Sequence, residues 1–289
     1  MLNRLIYRTP RLLMELGDMI YLLLAFFGCF AGVTTVLFGF GGGFIIVPVL
    51  YRVLSATHGA DDVIAQSAMH IAVATSTCVM IVNASISTRN HARAGTLLKP
   101  YIWPLAGFIG LGAIAGAVTA DLLDGEILRM AFVAYLAITI IDCLFRRGFI
   151  EQKANTKPES LGRFATISGG TGIGAVATAL GVGGSVMTVP LLRRCGLSMT
   201  QATSMANPLS LPVALAGTAT YILMAQVTGN DLGFGYLGYV DLLAFCVLTL
   251  GAVIGIRLAS PMIGRIPDRT HAIIYISLLV IVLLSMMFK

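Results

Sequence analysis

Two short glycine-rich runs are the residues most able to do chemistry in this chain. They are Gly39-Phe40-Gly41-Gly42-Gly43 and Gly181-Val182-Gly183-Gly184-Ser185. Each lies in an apolar stretch, and each is followed by a proline, Pro48 or Pro190. Unpaired backbone in hydrocarbon costs several kcal/mol per group, so irregular chain survives there only against protein or a wet cavity. Glycine permits positive φ and close approach of a ligand. A helix that starts after such a turn aims free N–H groups and a positive dipole end at its surroundings. The chemistry implied is capture of an anion by backbone dipoles. Gly41, Gly42, Gly43, Gly183, Gly184 and Ser185 are therefore candidate substrate-binding positions, and Gly39, Pro48, Gly181, Pro190 and Pro208 candidate helix breakers.

Neutral polar side chains in the apolar segments extend this list. Gln66 and Ser67 open one segment, and Gln201, Thr203, Ser204 and Asn207 open another. Hydroxyls and amides replace an anion's hydration shell without a fixed charge. Interhelical hydrogen bonding and bonding back to the helix's own carbonyls are the competing roles. The first of these segments also carries Thr75, Ser76, Thr77 and Asn83, and the second Ser210, Pro208 and Pro212, whose prolines should break or kink it. His70 is the most interior titratable candidate, as a proton carrier or a hydrogen-bonded core residue. Arg52 and Arg194 are candidates for a gate, with snorkelling to the interface as the alternative. Asp142 precedes Arg146 by four residues, the spacing of a helical ion pair.

Several sites are absent by pattern. Gly39-x-Gly41 begins a dinucleotide fingerprint, but Phe44 replaces the third glycine and no βαβ context surrounds it. No metal-ligand spacing, nucleophile–base pair or phosphate-binding lysine motif occurs. No cofactor is implied.

The elements that must position these residues are membrane helices. Of 289 residues 57% are hydrophobic and 11% charged, against about 25% charged in soluble domains. A spanning helix needs about 20 apolar residues, and the sequence predicts eight such segments: 18–38, 63–86, 100–120, 127–146, 164–181, 200–226, 238–258 and 270–288. Phe44–Leu50 and Val186–Leu192 are too short to span alone and read as half-helices. The fold class is an all-α polytopic integral membrane protein, with Gly-rich broken or re-entrant helices.

The segments fall into two matched halves. Gly28/Gly32 pairs with Gly170/Gly174, the two glycine runs pair, Pro48 with Pro190 and Arg52 with Arg194, all at an offset of 142. Gln66–Met69 resembles Ala202–Met205, and Gly112/Gly116 pairs with Gly251/Gly255. The division expected is a cytoplasmic tail at 1–16, a repeat at 17–145, a polar linker at 146–163 and a second repeat at 164–289. Such duplication is a transporter signature. The glycine pairs outside the runs read as helix-packing positions. Charge does not settle whether the repeats are parallel or inverted. Simple alternation sets Arg193, Arg194, Arg265 and Arg269 outside, unless 166–192 is re-entrant.

The net charge of +6 reads as topology, since no basic stripe or nucleic-acid motif accompanies it. The five cysteines, with no CxxC pair, read as buried free thiols. The N-terminus lacks the pattern of a cleaved signal.

The motifs GFGGGFIIVPVL and GVGGSVMTVPLL, with QSAMHIAVATS, NHARAGTL, QATSMANP and GYVDL, resemble the sulfite exporter TauE/SafE family, also called the 4-toluene sulfonate uptake permease group. The resemblance runs from about residue 20 to 288. It implies a two-half permease of a bacterial inner membrane that moves sulfite, sulfoacetate, thiosulfate or organosulfonates. Ser185 in place of the third glycine and Ser67-Ala68 in place of a common Thr-Ser depart from the family pattern. The reading is a secondary transporter for a small sulfur-containing or organic anion, held between the halves and moved by alternating access, with a proton as the candidate coupling ion. A passive anion channel is the runner-up, then a membrane redox or assembly factor or a scaffold.

Overall fold

The computed structural model describes residues 8–59, 61–145, 149–150, 162–227 and 232–287. Residues 1–7 of the tail, most of the linker with Arg146, and Asp231 lie outside them.

Helices dominate the chain. They are α1 (Arg8–Phe38), α2 (Gly43–Thr57), the short α3 (Val63–Gln66), α4 (Ala68–Arg93), the short α5 (Lys99–Ile102), α6 (Leu105–Asp121) and α7 (Gly125–Phe145). A π-helical turn, Ala165–Gly169, leads into α8 (Gly170–Leu180). After it come α9 (Ser185–Arg194), α10 (Met199–Val227), a small hairpin of β1 (Tyr236–Leu237) and β2 (Val240–Asp241), α11 (Leu242–Ala259) and α12 (Asp268–Met287). Seven described helices are long and apolar enough to cross a membrane. The eighth expected segment is the shorter helix Ala165–Leu180, about 24 Å long at 1.5 Å per residue. The two predicted half-helices are α2 and α9, each starting directly after a glycine run. The prolines do not break their helix: α10 is continuous through Pro208 and Pro212. Neighbouring helices and hydroxyls in a membrane bundle can re-satisfy the carbonyls that proline frees.

Glycines set the tightest packing. A methyl on Gly32 would lie 2.1 Å from Ala252 O, and one on Gly255 would lie 1.9 Å from Cys29 O. Thus α1 and α11 touch backbone to backbone. Methyls on Gly112 and Gly116 would each lie 2.0 Å from a carbonyl oxygen, of Thr171 and Ala175, so α6 meets α8 in the same way. In both pairs contacts advance together along the two chains, so partners run parallel. The predicted packing role of these glycines is what the geometry shows.

Hydrogen bonds define two ends of the bundle. At one, His70 Nε2 lies 3.2 Å from Ala120 O, and Asp241 N–H donates to Thr75 Oγ1 at 3.0 Å. At the other, His91 Nε2 lies 2.8 Å from Val36 O, Asn90 donates to Ser260 Oγ and Met199 N–H donates to Asp268. α1 and α4 run from the first end to the second. α2 turns back, and Arg52 near its end meets Ser285 O, near the end of α12. α8 and α10 run from the second end to the first, while α9 returns to the second, where Arg194 meets Asp142. The first end gathers Asp61, Asp62, Asp121, Asp124, Glu126 and Asp241. The second gathers Arg89, Arg93, Arg193, Arg194, Arg265 and Arg269. At the acidic end burial pushes the Asp241 carboxyl above its usual range, although it caps α11 by accepting from Ala244 N–H.

Candidate substrate site

The two glycine runs meet in the middle of the bundle. α1 stops at Phe38, and Gly39, Gly41 and Gly42 take φ of 75°, 66° and 96°, which reverse the chain into α2. In the second run Gly181 and Gly183 both take φ of 65° before α9 begins at Ser185. A methyl on Gly43 would lie 2.0 Å from Gly181 O, so the first turn rests on the second. Helices α2 and α9 thus both start at the centre and leave for opposite ends. Their first amides have no intrahelical acceptor, and both positive dipole ends face inward.

The long helices α4 and α10 wall this point, and both turns use the same side chains. Methyls on Gly41 and Gly183 would each lie 2.9 Å from Met80, and Ser210 lies beside both. Asn83 Nδ2 would lie 2.6 Å from a methyl on Gly42. Asn83 is fully buried, and neither its amide nitrogen nor its oxygen has a partner. Asn207 Oδ1, Ser87 Oγ and Ser185 Oγ are likewise buried and unpartnered. Each such group costs about 1–3 kcal/mol, a cost that packing alone does not explain. Serine at 185 leaves room for a hydroxyl where Gly43 has none.

The structure brings together Gly41, Gly42, Gly43, Gly183 and Gly181. Gly184 caps α9 against Ile173, and Ser185 starts that helix. Asn207 and Thr203 sit on α10 near the first turn, and a methyl on Gly39 would lie 2.6 Å from Thr203 O. Pro48 and Pro190 lie inside α2 and α9 and break neither helix. Other expected residues stand apart. Gln66 is exposed on α3, and Ser67 caps its end, at the acidic end. Gln201 Oε1 accepts from Ser198 N–H at the start of α10. Ser204 lies 3.0 Å from His91 Nδ1 near the basic end. His70 is half-buried beside the Tyr239 ring. Arg194 pairs with Asp142 across a helix interface at 2.9 Å; the expected pairing of Asp142 with Arg146 lies outside the described residues. Asn83 and Ser210 were visible as polar residues in apolar segments. Their place beside the turns follows only from how α4 crosses α10.

No described cysteine is in a disulfide, and only Cys143 is buried; Cys246 is exposed, which corrects the uniform burial expected.

A bundle of spanning helices that carries two inward helix starts and orphaned amides at its centre defines a multi-pass membrane transporter. The chain belongs to the sulfite exporter TauE/SafE family, whose model matches residues 24–286. It is 27% identical over 266 residues to a probable membrane transporter protein of Haemophilus influenzae, covering 91% of this chain and 96% of that one. It is 24% identical over 263 residues to a probable membrane transporter protein of Methanocaldococcus jannaschii, covering 89% and 91%.

Proposed function

We propose that this transporter moves a small sulfur-containing or organic anion, such as sulfite or a sulfonate, across a bacterial inner membrane, and that it is not an enzyme. The anion sits between the two glycine turns. The first amides of α2 and α9 and the side chains of Asn83, Asn207, Ser185 and Ser210 bind it. The observation that carries this reading is Asn83, fully buried with both ends unpartnered and pressed against Gly42. An anion accepts from its N–H groups, and a protonated or amine-bearing substrate can donate to its oxygen.

The matched halves act as inverted repeats. The matched helices α1 and α8 run in opposite senses, and each packs on the other half's third long helix, α11 or α6. Arg52 on α2 reaches α12, and Arg194 on α9 reaches α7. Both turns are then re-entrant, which gathers Arg193, Arg194, Arg265 and Arg269 at one end. The positive-inside rule makes that end cytoplasmic. The start of α1 then lies at the opposite face, against the expectation of a cytoplasmic N-terminal stretch. Alternating access rocks one half against the other around the turns.

Purified protein in liposomes is assayed for flux of sulfite, methanesulfonate and 4-toluenesulfonate. Saturable flux of at least one, lost on Asn83→Leu in a protein with unchanged helical content, is the expected result. Flux that survives this change removes the turns as the site. Flux that does not saturate favours the passive channel.

A further inference from the structure

The basic end holds a pair of histidines that the anion site does not use. His91 on α4 and His271 on α12 are 2% and 3% exposed. Their Nε2 atoms lie 2.8 Å from consecutive carbonyls, Val36 O and Leu37 O, in the last turn of α1. Gly39 and the first glycine turn follow directly. A carbonyl only accepts, so both rings carry their proton on Nε2, and each Nδ1 is a bare lone pair.

The two Nδ1 atoms differ. That of His91 lies 3.0 Å from the hydroxyls of Ser204 and Thr96, which can rotate to donate or accept. That of His271 is buried and has no partner. Around His271 stand the Phe38 ring, edge-on at 5.0 Å between centroids, and a narrow crevice lined by Thr200, Thr203, Ile263 and Ile266. The charged and titratable groups that act on it are Asp268 on its own helix, Arg193 on α9 and His91 on α4. Asp268 is already paired with Arg193 at 2.9 Å.

We propose that His271 is the coupling proton site of this transporter, and that it takes its proton only when the packing between α1 and α12 opens at the basic end. This rests on the transporter reading above. Neutral His271 fits the closed arrangement as it stands. A proton on Nδ1 in that arrangement is a buried N–H with no acceptor, on a ring that has become a cation beside Arg193. A buried unpaired charge of this kind is strongly unfavourable. Once the crevice admits water, Nδ1–H gains an acceptor, and the new cation competes with Arg193 for Asp268. Proton binding is thereby linked to opening, because the proton binds one state better than the other. The lever is short: the carbonyl held by His271 is two residues before Gly39. Low pH favours the open state and high pH the closed one.

Two measurements test this. The first uses proteoliposomes and labelled methanesulfonate, an anion at all pH values used. A gradient of about one pH unit supports up to about tenfold accumulation for one coupled proton. Wild-type protein is expected to accumulate the label, and His271→Gln, whose amide still reaches Leu37 O, to show no accumulation ratio above one. Exchange of labelled for unlabelled methanesulfonate reports whether the anion site is intact. Accumulation that survives H271Q overturns the proposal. Wild-type exchange without gradient-driven accumulation overturns it while the transporter reading stands. The second measurement needs no substrate and decides when either protein fails to exchange. Ile263→Cys, in a background with the native cysteines replaced, is labelled by a maleimide, with rates divided by those of free cysteine at each pH. Labelling is expected to rise several-fold on acidification in the His271 protein and to stay flat with H271Q. A flat profile with His271 present overturns the proposal, whatever the substrate.

Discussion

The two glycine turns have nearly the same backbone but stand in different surroundings. Gly39 and Gly181 both take positive φ, as do Gly41 and Gly183, and Met80 faces both turns. They part at the fifth position. Gly43 is pressed on Gly181 O and admits no side chain. Ser185 carries a hydroxyl that is buried and unpartnered. The first turn also keeps Gly42 at φ 96° against Asn83, where Gly184 is an ordinary helical residue at φ −66°. The fifth position of the first turn thus supplies contact, and that of the second a free donor. A substrate that is not symmetric needs such a difference.

The ends of the molecule repeat this contrast. At the basic end Arg193 is 4% exposed, ion-paired to Asp268, hydrogen-bonded to Leu197 O and Phe149 O and stacked over the Phe149 ring. Arg129 at the acidic end pairs with Glu126 in its own helix and donates to Met286 O. Both ends are tied between elements, one by a buried ion pair across helices and the other by an arginine whose charge partner lies in its own helix.

Substitutions at these contrasting positions sharpen the comparison, taken from the largest effect down. Arg193→Gln leaves the buried Leu197 and Phe149 carbonyls without their donor and is expected to lower stability by about 3 kcal/mol, whereas Arg129→Gln lowers it by about 1 kcal/mol or less; thermal unfolding in detergent reads both. Equal effects would erase the contrast between the ends. Gly43→Ala drives a methyl into Gly181 O and is expected to cost about 3 kcal/mol by overpacking. Ser185→Ala removes only an unpaired hydroxyl and leaves the melting temperature unchanged or raised. Asn83→Leu is expected to reduce transport about fiftyfold, the loss of about 2–3 kcal/mol of hydrogen bonding to a charged ligand. Its folding is unchanged or improved, because two orphaned groups disappear. A strongly destabilised N83L would show that Asn83 serves packing. Arg194→Gln breaks a half-exposed ion pair with Asp142 and is expected to shift stability by less than about 1 kcal/mol, as does Arg52→Gln.

Much of the architecture was legible in the residue order. Apolar runs of spanning length marked the helices, and the glycine runs marked the two places where helices stop and restart. The residues beside the turns were legible in kind but not in place. Gln66–Met69 resembles Ala202–Met205 in residue order, and each stretch lies near the start of its long helix. α4 and α10 run in opposite senses, so those starts lie at opposite ends of the bundle. Only mid-helix residues such as Met80, Asn83 and Ser210 reach the centre together. The pairing of Asp142 with Arg194 across a helix interface likewise has no signal in the residue order.

Composition alone determined that this chain lives in lipid, since 11% charged residues cannot cover a protein of this size in water. Glycine spacing determined where the helices are interrupted, because glycine takes the positive φ those turns require at no steric cost. Tertiary structure decided which interruptions meet, which amides are left without partners and which end each arginine joins. Those outcomes depend on helix direction and crossing, and a sequence period carries neither.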